Sequence, residues 1–294
     1  MRQWAKEFLR FILYKKVYLV GFIVVVTFTI TGVIAPYILT RPSEAWGVAY
    51  NPDKAFTPPS PEHPLGTDAL GRDLANRLLL GTRFSLTIGA SVVLLSLAIG
   101  VPIGLIAGYF GGKLGTALMR LADIFLAFPP LLLAIAFASV LGRGITNTII
   151  ALALSWWPWY TRLVYIQVTS VKSLAYVDAA RIIGLNPLVI VFKHIFPNIL
   201  TPLVTQATLD IGSAILEASA LSFLGVGIPP PTPEWGFLVS EGWQYISRAW
   251  WISFFPGLAI LITVLGFNLF GDALKEFMDP RVRNMMVKVK AVKQ

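Results

Sequence analysis

Six long runs of apolar residues constrain this chain more than any other feature, because each is long enough to cross a lipid bilayer as a helix. Such a helix needs about 20 apolar residues. The runs cover roughly residues 17–39, 84–109, 117–141, 145–166, 199–222 and 251–271. Only 13% of the residues are charged, whereas soluble domains carry about 25%. The sequence therefore predicts an all-α polytopic membrane protein with about six transmembrane helices.

The first run begins like a secretory signal but is too long to be one. Five basic residues stand before or at its start: Arg2, Lys6, Arg10, Lys15 and Lys16. The apolar core of a signal peptide has about 7–15 residues, and the run over 17–39 exceeds this length. We therefore interpret it as an uncleaved first span.

The distribution of basic residues predicts the orientation of the chain. Six spans place both termini on the same side of the membrane. The loops on that side hold about sixteen Lys and Arg residues, and the loops on the other side hold seven. Because cytoplasmic loops carry the excess of positive charge, we predict a multi-pass protein of the cell membrane with both termini and the 167–198 loop in the cytoplasm.

The composition argues against chemistry carried by this chain. It has no cysteine, and its two histidines, His63 and His194, are far apart, so a disulfide, a thiol nucleophile or an imidazole metal site is not expected. No metalloprotease, catalytic-triad or nucleotide-binding motif is present. The net charge of +9 flanks apolar spans and does not indicate nucleic-acid binding. We predict a non-catalytic protein without a metal or a cofactor of its own.

One span carries a row of small residues spaced four apart, which predicts close helix packing. The row consists of Ser96, Gly100, Gly104, Gly108 and Gly112. Small side chains at this spacing allow another helix backbone to approach. We favour packing inside the helix bundle over a contact between subunits.

The predicted cytoplasmic loop carries the most specific motif. It reads Asp178-Ala179-Ala180-Arg181-Ile182-Ile183-Gly184 and, after nine residues, His194-Ile195-Phe196-Pro197. This resembles the EAA loop of permease subunits in ATP-binding-cassette importers, with Glu-Ala-Ala, three residues, Gly, nine residues and Ile-x-Leu-Pro. The spacing matches, although Asp178 replaces Glu, His194 replaces Ile and Phe196 replaces Leu.

Further blocks resemble the peptide and nickel branch of the same importers, and the C subunits of dipeptide and oligopeptide permeases in particular. They occur in the expected order between about residues 60 and 283. The blocks are His63–Asp73 continuing to Leu86, Ala127–Pro129, Glu217–Gly225, Pro229–Gly236, Gly271–Leu274 and Asp279–Arg283.

The resemblance implies a type I importer permease fold and a division of labour among several proteins. An external substrate-binding protein would deliver peptide, and this chain with a homologous second permease subunit would form the pathway across the lipid. Two cytoplasmic ATP-binding subunits would bind ATP and Mg²⁺. The resemblance further implies that five loop residues transmit ATPase motion to the spans: Asp178, Ala179, Ala180, Gly184 and Pro197.

We expect four regions along the chain. These are a cytoplasmic N-terminus with the first span over 1–40, an external proline-rich loop and entry segment over 41–83, a permease core over 84–272 with the coupling loop at 169–198, and a basic tail over 273–294. The tail residues Arg281, Arg283, Lys288, Lys290 and Lys293 are interpreted as an anchor at the anionic leaflet.

Three acidic residues fall within or at the edge of predicted spans, where carboxylates are costly and functional by default. Asp123 stands three residues after Arg120, so these two can pair on one helix. Asp210 and Glu217 are seven apart and share a face of the fifth span. That face either lines the substrate pathway or is paired within the protein, and the sequence leaves both possibilities open.

Two alternative functions and one structural choice also stay open. A nickel or metal-chelate importer shares most of the blocks. A secondary transporter driven by an ion gradient would show two related halves with broken helices, which we do not recognise here. The proline-rich segment 229–233 with Trp235 forms either an external gate rim or a packing corner.

Overall fold

The computed structural model describes residues 2–278, with side chains described from Glu7 onward. Within these residues the chain is helical, and the one strand-like feature is an isolated bridge between Thr67 and Asp73. The helices are α1 Arg2–Tyr14, α2 Lys16–Ile38, α3 Pro42–Ala45, α4 Leu74–Phe110, α5 Gly112–Leu126, α6 Pro130–Leu141, α7 Ile145–Lys172, α8 Ala175–Ile182, α9 Pro187–Val189, a π-helix Ile190–Ile195, α10 Phe196–Phe223, α11 Trp235–Trp243 and α12 Trp251–Met278. The anchor predicted from Arg281 to Lys293 lies outside the described residues.

Four helical segments of residues 2–278 are long and apolar enough to cross a membrane. They are α2, α4, the continuous stretch from α9 to the end of α10, and α12. The pair α5 and α6 adds a fifth if it is one broken span. Helix α7 has 28 residues but is less apolar, because Thr, Asn, Trp and Tyr side chains and Arg162 interrupt it. The all-α membrane architecture is confirmed, and α7 occupies the place of the predicted span over 145–166.

The predicted span over 117–141 is not one continuous helix. Helices α5 and α6 meet at an angle of 87°. A residue that precedes proline is pushed out of the helical conformation, and both Phe128 and Pro129 precede a proline. Pro129 is accordingly extended, with φ −57° and ψ 128°.

Helix α4 begins at Leu74, about ten residues before the predicted span, and enters the region predicted as external loop. The Asp73 side chain caps this helix by accepting a hydrogen bond from the Asn76 amide over 2.9 Å. Satisfying a free amide at the first turn favours an earlier helix start.

The row of small residues packs α4 against α7 within the chain. A Cβ added at Gly104 would lie 2.7 Å from the carbonyl oxygen of Thr161, and one added at Gly108 would lie 2.8 Å from Val168 Cβ. The Thr161 hydroxyl also donates to the Gly100 carbonyl over 3.2 Å. The row is therefore an internal packing surface as far as Gly108, whereas Gly112 faces open space.

The N-terminal helix α1 lies against the end of α12. Phe11 is buried, and its ring packs on that of Phe277 with centroids 5.6 Å apart. Lys15 Nζ donates to Glu276 over 2.5 Å, and the Tyr18 hydroxyl donates to the same carboxylate over 2.6 Å. These contacts join α1 and the start of α2 to the end of α12.

Candidate functional site

The loop that follows α7 folds into a defined helix–turn unit. After α8, Gly184 has a φ of +77°. Its N–H donates to the Arg181 carbonyl over 3.0 Å, and the Leu185 N–H donates to the Ala180 carbonyl over 3.2 Å. This pair of bonds is a Schellman motif, which needs a left-handed residue and so favours glycine.

Helix α8 is attached to the transmembrane core on one face. Val177 is fully buried and Ala180 nearly so, and both belong to the same hydrophobic core as the π-helix residues Ile190 and Ile195. The Tyr176 hydroxyl donates to a backbone carbonyl of the π-helix over 3.3 Å. Helix α8 is therefore packed against the segment that leads into α10.

The opposite face of the turn is exposed and apolar. Ile182 is 85% exposed and Ile183 is 73% exposed, and a Cβ added at Gly184 would meet nothing within 4 Å. We call Ile182 and Ile183 the apolar tip. The part of the chain that the structure describes leaves both isoleucines largely uncovered.

The other predicted loop residues divide between the surface and the core. Asp178 and Ala179 are exposed, and Asp178 pairs with Arg181 over 2.9 Å. Pro197 is the second residue of α10, directly after the π-helix. The structure thus places Ala180 in the core and Asp178, Ala179, Gly184 and Pro197 at the surface.

Asp210 and Glu217 lie on the face of α10 that contacts α7. The Tyr160 hydroxyl donates to Asp210 Oδ2 over 2.7 Å, and Gln206 Nε2 donates to Asp210 Oδ1 over 2.9 Å. Trp156 Nε1 donates to Glu217 Oε2 over 2.8 Å. Both carboxylates thus receive hydrogen bonds from neutral donors of the same chain.

Asp123 has a partner that we did not predict. Its Oδ1 contacts the Arg162 guanidinium on α7, while the predicted partner Arg120 is 3.8 Å from Oδ2. The signal was present in the sequence, because Arg120 and Arg162 are the two basic residues that fall within predicted spans.

The segment between α3 and α4 is held by a buried charge network. Asp68 Oδ2 accepts from Arg72 Nε over 2.7 Å and from Arg77 over 2.5 Å. Glu241 on α11 accepts from Arg72 over 2.6 Å and from Arg77 over 2.5 Å. Arg77 and Asp68 are fully buried, so this network fixes α11 onto the start of α4.

A second pair supports the same start of α4. His63 Nδ1 lies 2.9 Å from Asp73 Oδ2, and both side chains are buried. Burial by itself would raise the pKa of the Asp73 carboxyl. Hydrogen bonds from Asn76 and His63 outweigh it, so the pKa lies below its ordinary value.

The environment of Trp235 favours a packing corner over a gate rim. Trp235 is fully buried, and its indole N–H donates to the Leu78 carbonyl over 3.1 Å. Its ring packs on Phe28 with centroids 5.7 Å apart. Glu234 is also fully buried. Its side chain caps α11 by accepting hydrogen bonds from the backbone amides of Gly236 and Phe237.

Comparison with known proteins identifies relatives over nearly the whole chain. Residues 100–284 match the family described as binding-protein-dependent transport system inner membrane component. The di/tripeptide transport system permease protein DppC of Pseudomonas aeruginosa is 46% identical over 250 residues, which cover 81% of this chain and 82% of that protein. The dipeptide transport system permease protein DppC of Alkalihalophilus pseudofirmus is 42% identical over 269 residues, covering 92% and 87%. The glutathione transport system permease protein GsiD of Pectobacterium atrosepticum is 40% identical over 250 residues, covering 85% and 82%.

Proposed function

Since this chain belongs to the family of binding-protein-dependent inner-membrane transport components, we propose that it is a membrane subunit of an ATP-driven importer of short peptides. Relatives at 40–46% identity carry the names of di/tripeptide, dipeptide and glutathione permeases. None of these three is named for nickel or for ion-driven transport. Di- and oligopeptides are therefore the substrates we assign.

The chain works with partners on both faces of the membrane. A homologous second permease subunit completes the pathway, an external binding protein supplies peptide, and two cytoplasmic ATP-binding subunits hold ATP and Mg²⁺. Both termini and the loop over 169–198 are then cytoplasmic. In this arrangement residues 1–40 enter the membrane, 41–83 lie outside, 84–272 form the permease core and 273–294 form the tail.

The observation that carries the proposal is the shape of the coupling loop. The apolar tip projects from a turn whose other face packs into the hydrophobic core of the helix bundle through Val177 and Ala180. When the ATPase subunits close around ATP, their movement would displace the tip and α8 as one unit. Through the π-helix this displacement reaches α10 and favours one of two access states. Asp178, Ala179, Gly184 and Pro197 shape the docking surface around the tip.

The test is ATP hydrolysis by the complete importer, purified with its native partners and reconstituted in lipid. We expect peptide-loaded binding protein to stimulate hydrolysis several-fold over empty binding protein, with ATP-dependent peptide uptake. Stimulation by a nickel-chelate complex alone would replace the assigned substrate. Absence of both a co-purifying ATPase and ATP-dependent uptake would refute the importer.

The role of the apolar tip needs its own variant. We expect a double Ile182→Ser, Ile183→Ser variant to insert normally and to lose most of its co-purifying ATPase. Val48→Ser is the matched control, because Val48 is an equally exposed aliphatic residue in the external loop. A double variant that retains its ATPase as Val48→Ser does would remove the tip from the docking surface.

A further inference from the structure

Helices α5 and α7 hold a cluster of three charged groups beside an open cleft. Asp123 shares its carboxylate between Arg162 and Arg120. The cleft has a volume of about 340 Å³, and Thr116 and Tyr165 add polar groups to its wall. The ring of Phe125 packs edge-on against Trp157 at 5.3 Å between centroids, which holds α5 on α7 next to the cluster.

The cluster lies near the predicted cytoplasmic ends of two spans. Asp123 is six residues inside the predicted span over 117–141, and Arg162 is four residues before the end of the one over 145–166. At about 1.5 Å of rise per residue, these positions lie roughly 6–9 Å inside their spans.

The charged face of the cluster is open in the single chain. The Arg120 side chain is 78% exposed and that of Arg162 is 45% exposed. Charged groups within a span are disfavoured against lipid and face a protein interior or a water-filled cavity. Arg120 is also the less engaged partner of Asp123, at 3.8 Å.

We propose that this cluster is a substrate subsite that takes the C-terminal carboxylate of the peptide during translocation. The inference rests on the proposed function and deepens it. Two guanidinium groups against one carboxylate leave one positive charge unbalanced, and an exposed guanidinium is suited to bind a carboxylate in a bidentate manner. Arg120 provides the contact, whereas Asp123 and Arg162 orient it and keep the cleft wall charged.

The test compares uptake of alanyl-phenylalanine with uptake of its C-terminal amide by the reconstituted complete importer. Each is supplied at a concentration that saturates the binding protein, as measured separately. We expect Arg120→Gln to lower uptake of the free peptide about tenfold and uptake of the amide by less than twofold. We expect Arg120→Lys, which keeps the charge, to recover at least half of the loss. Lys113→Gln is the control, because Lys113 is an exposed basic residue of α5 outside the cleft.

Three results would overturn the subsite while leaving the importer intact. Arg120→Gln with wild-type uptake would do so, and so would an equal loss for the free peptide and the amide. Loss of the second permease subunit from purified Arg120→Gln would assign the cluster to a contact between subunits instead. Absence of ATP-driven uptake by the wild-type complex would overturn the importer itself, and the subsite with it.

Discussion

The Tyr160 hydroxyl of α7 donates a hydrogen bond of 2.7 Å to Asp210 of α10, and both side chains are buried. A carboxylate within a membrane span thus has a neutral donor in the same chain. Four residues earlier on α7, the indole N–H of Trp156 donates a hydrogen bond to Glu217. The acidic face of α10 therefore joins two long helices, whether or not it also meets substrate.

Removing this hydrogen bond is expected to destabilise the helix pair. Tyr160→Phe should lower the free energy of unfolding by on the order of 1 kcal/mol, the usual size of such a bond between membrane helices. The measurement is denaturation in mixed detergent micelles. Tyr37→Phe, at an exposed tyrosine, is the control, and equal stability of the two variants would contradict the prediction.

Asp210→Asn separates the structural role from a pathway role, because asparagine keeps an acceptor for Tyr160. We expect its stability to stay close to that of the wild type. A changed rate or preference in peptide uptake at normal protein levels would then support the pathway role that the sequence leaves open for Asp210 and Glu217. Unchanged uptake would leave these residues with packing alone.

The close approach of α4 to α7 at Gly104 gives a prediction about packing. Because a methyl group there would lie 2.7 Å from backbone and side-chain atoms of α7, Gly104→Ala should cost about 1–3 kcal/mol, as overpacking does. Gly257→Ala is the matched control, since Gly257 lies within α12 with nothing within 4 Å of an added Cβ. Equal stability of the two variants, measured in the same micelles, would show that the helices separate at little cost.

The turn at Gly184 allows backbone strain and added volume to be tested separately. Gly184→Ala places a side chain in a left-handed conformation, which should cost about 1–2 kcal/mol. Asparagine tolerates this conformation better, so Gly184→Asn should fold almost normally while adding a side chain to the docking surface. We expect Gly184→Asn to transport several-fold less peptide per ATP hydrolysed than the wild type when binding protein is present. Normal coupling in Gly184→Asn would indicate that this side of the turn faces no partner.

Hydropathy and motif spacing predicted much of the architecture and the loop. Apolar runs place α2, α4, α10 and α12 because lipid demands long uninterrupted apolar helices. Gly184 marked the turn because few other residues adopt its backbone angles. The bend between α5 and α6 was visible as two prolines at 129–130, yet the sequence does not state the angle that packing imposes.

Pairings between distant residues were beyond sequence reasoning. Arg77 meets Glu241 across 164 positions, and Arg162 meets Asp123 across 39. Such contacts depend on which helix faces become neighbours, and one sequence does not report this. The charges themselves were visible, and a basic residue within a span was a sufficient signal that a partner exists.

The buried pair of Asp73 and His63 predicts how stability depends on pH. The pKa of Asp73 is lower in the folded protein than its ordinary value of 3.8, so ionised Asp73 stabilises the fold. This contribution is complete above 3.8 and is lost as the pH falls through the lower pKa of the folded state. Asp73→Asn keeps an acceptor for the helix cap but does not titrate. Between pH 6 and about 3, the unfolding free energy of the variant should therefore fall less steeply than that of the wild type.

Glu62 provides the control. Its pKa is also lowered, by its hydrogen bond with Lys54, but it lies at the surface, where solvent screens the interaction. Glu62→Gln should accordingly keep nearly the full acid dependence, and a wild-type pH profile in Asp73→Asn would show that the pair does not stabilise the start of α4.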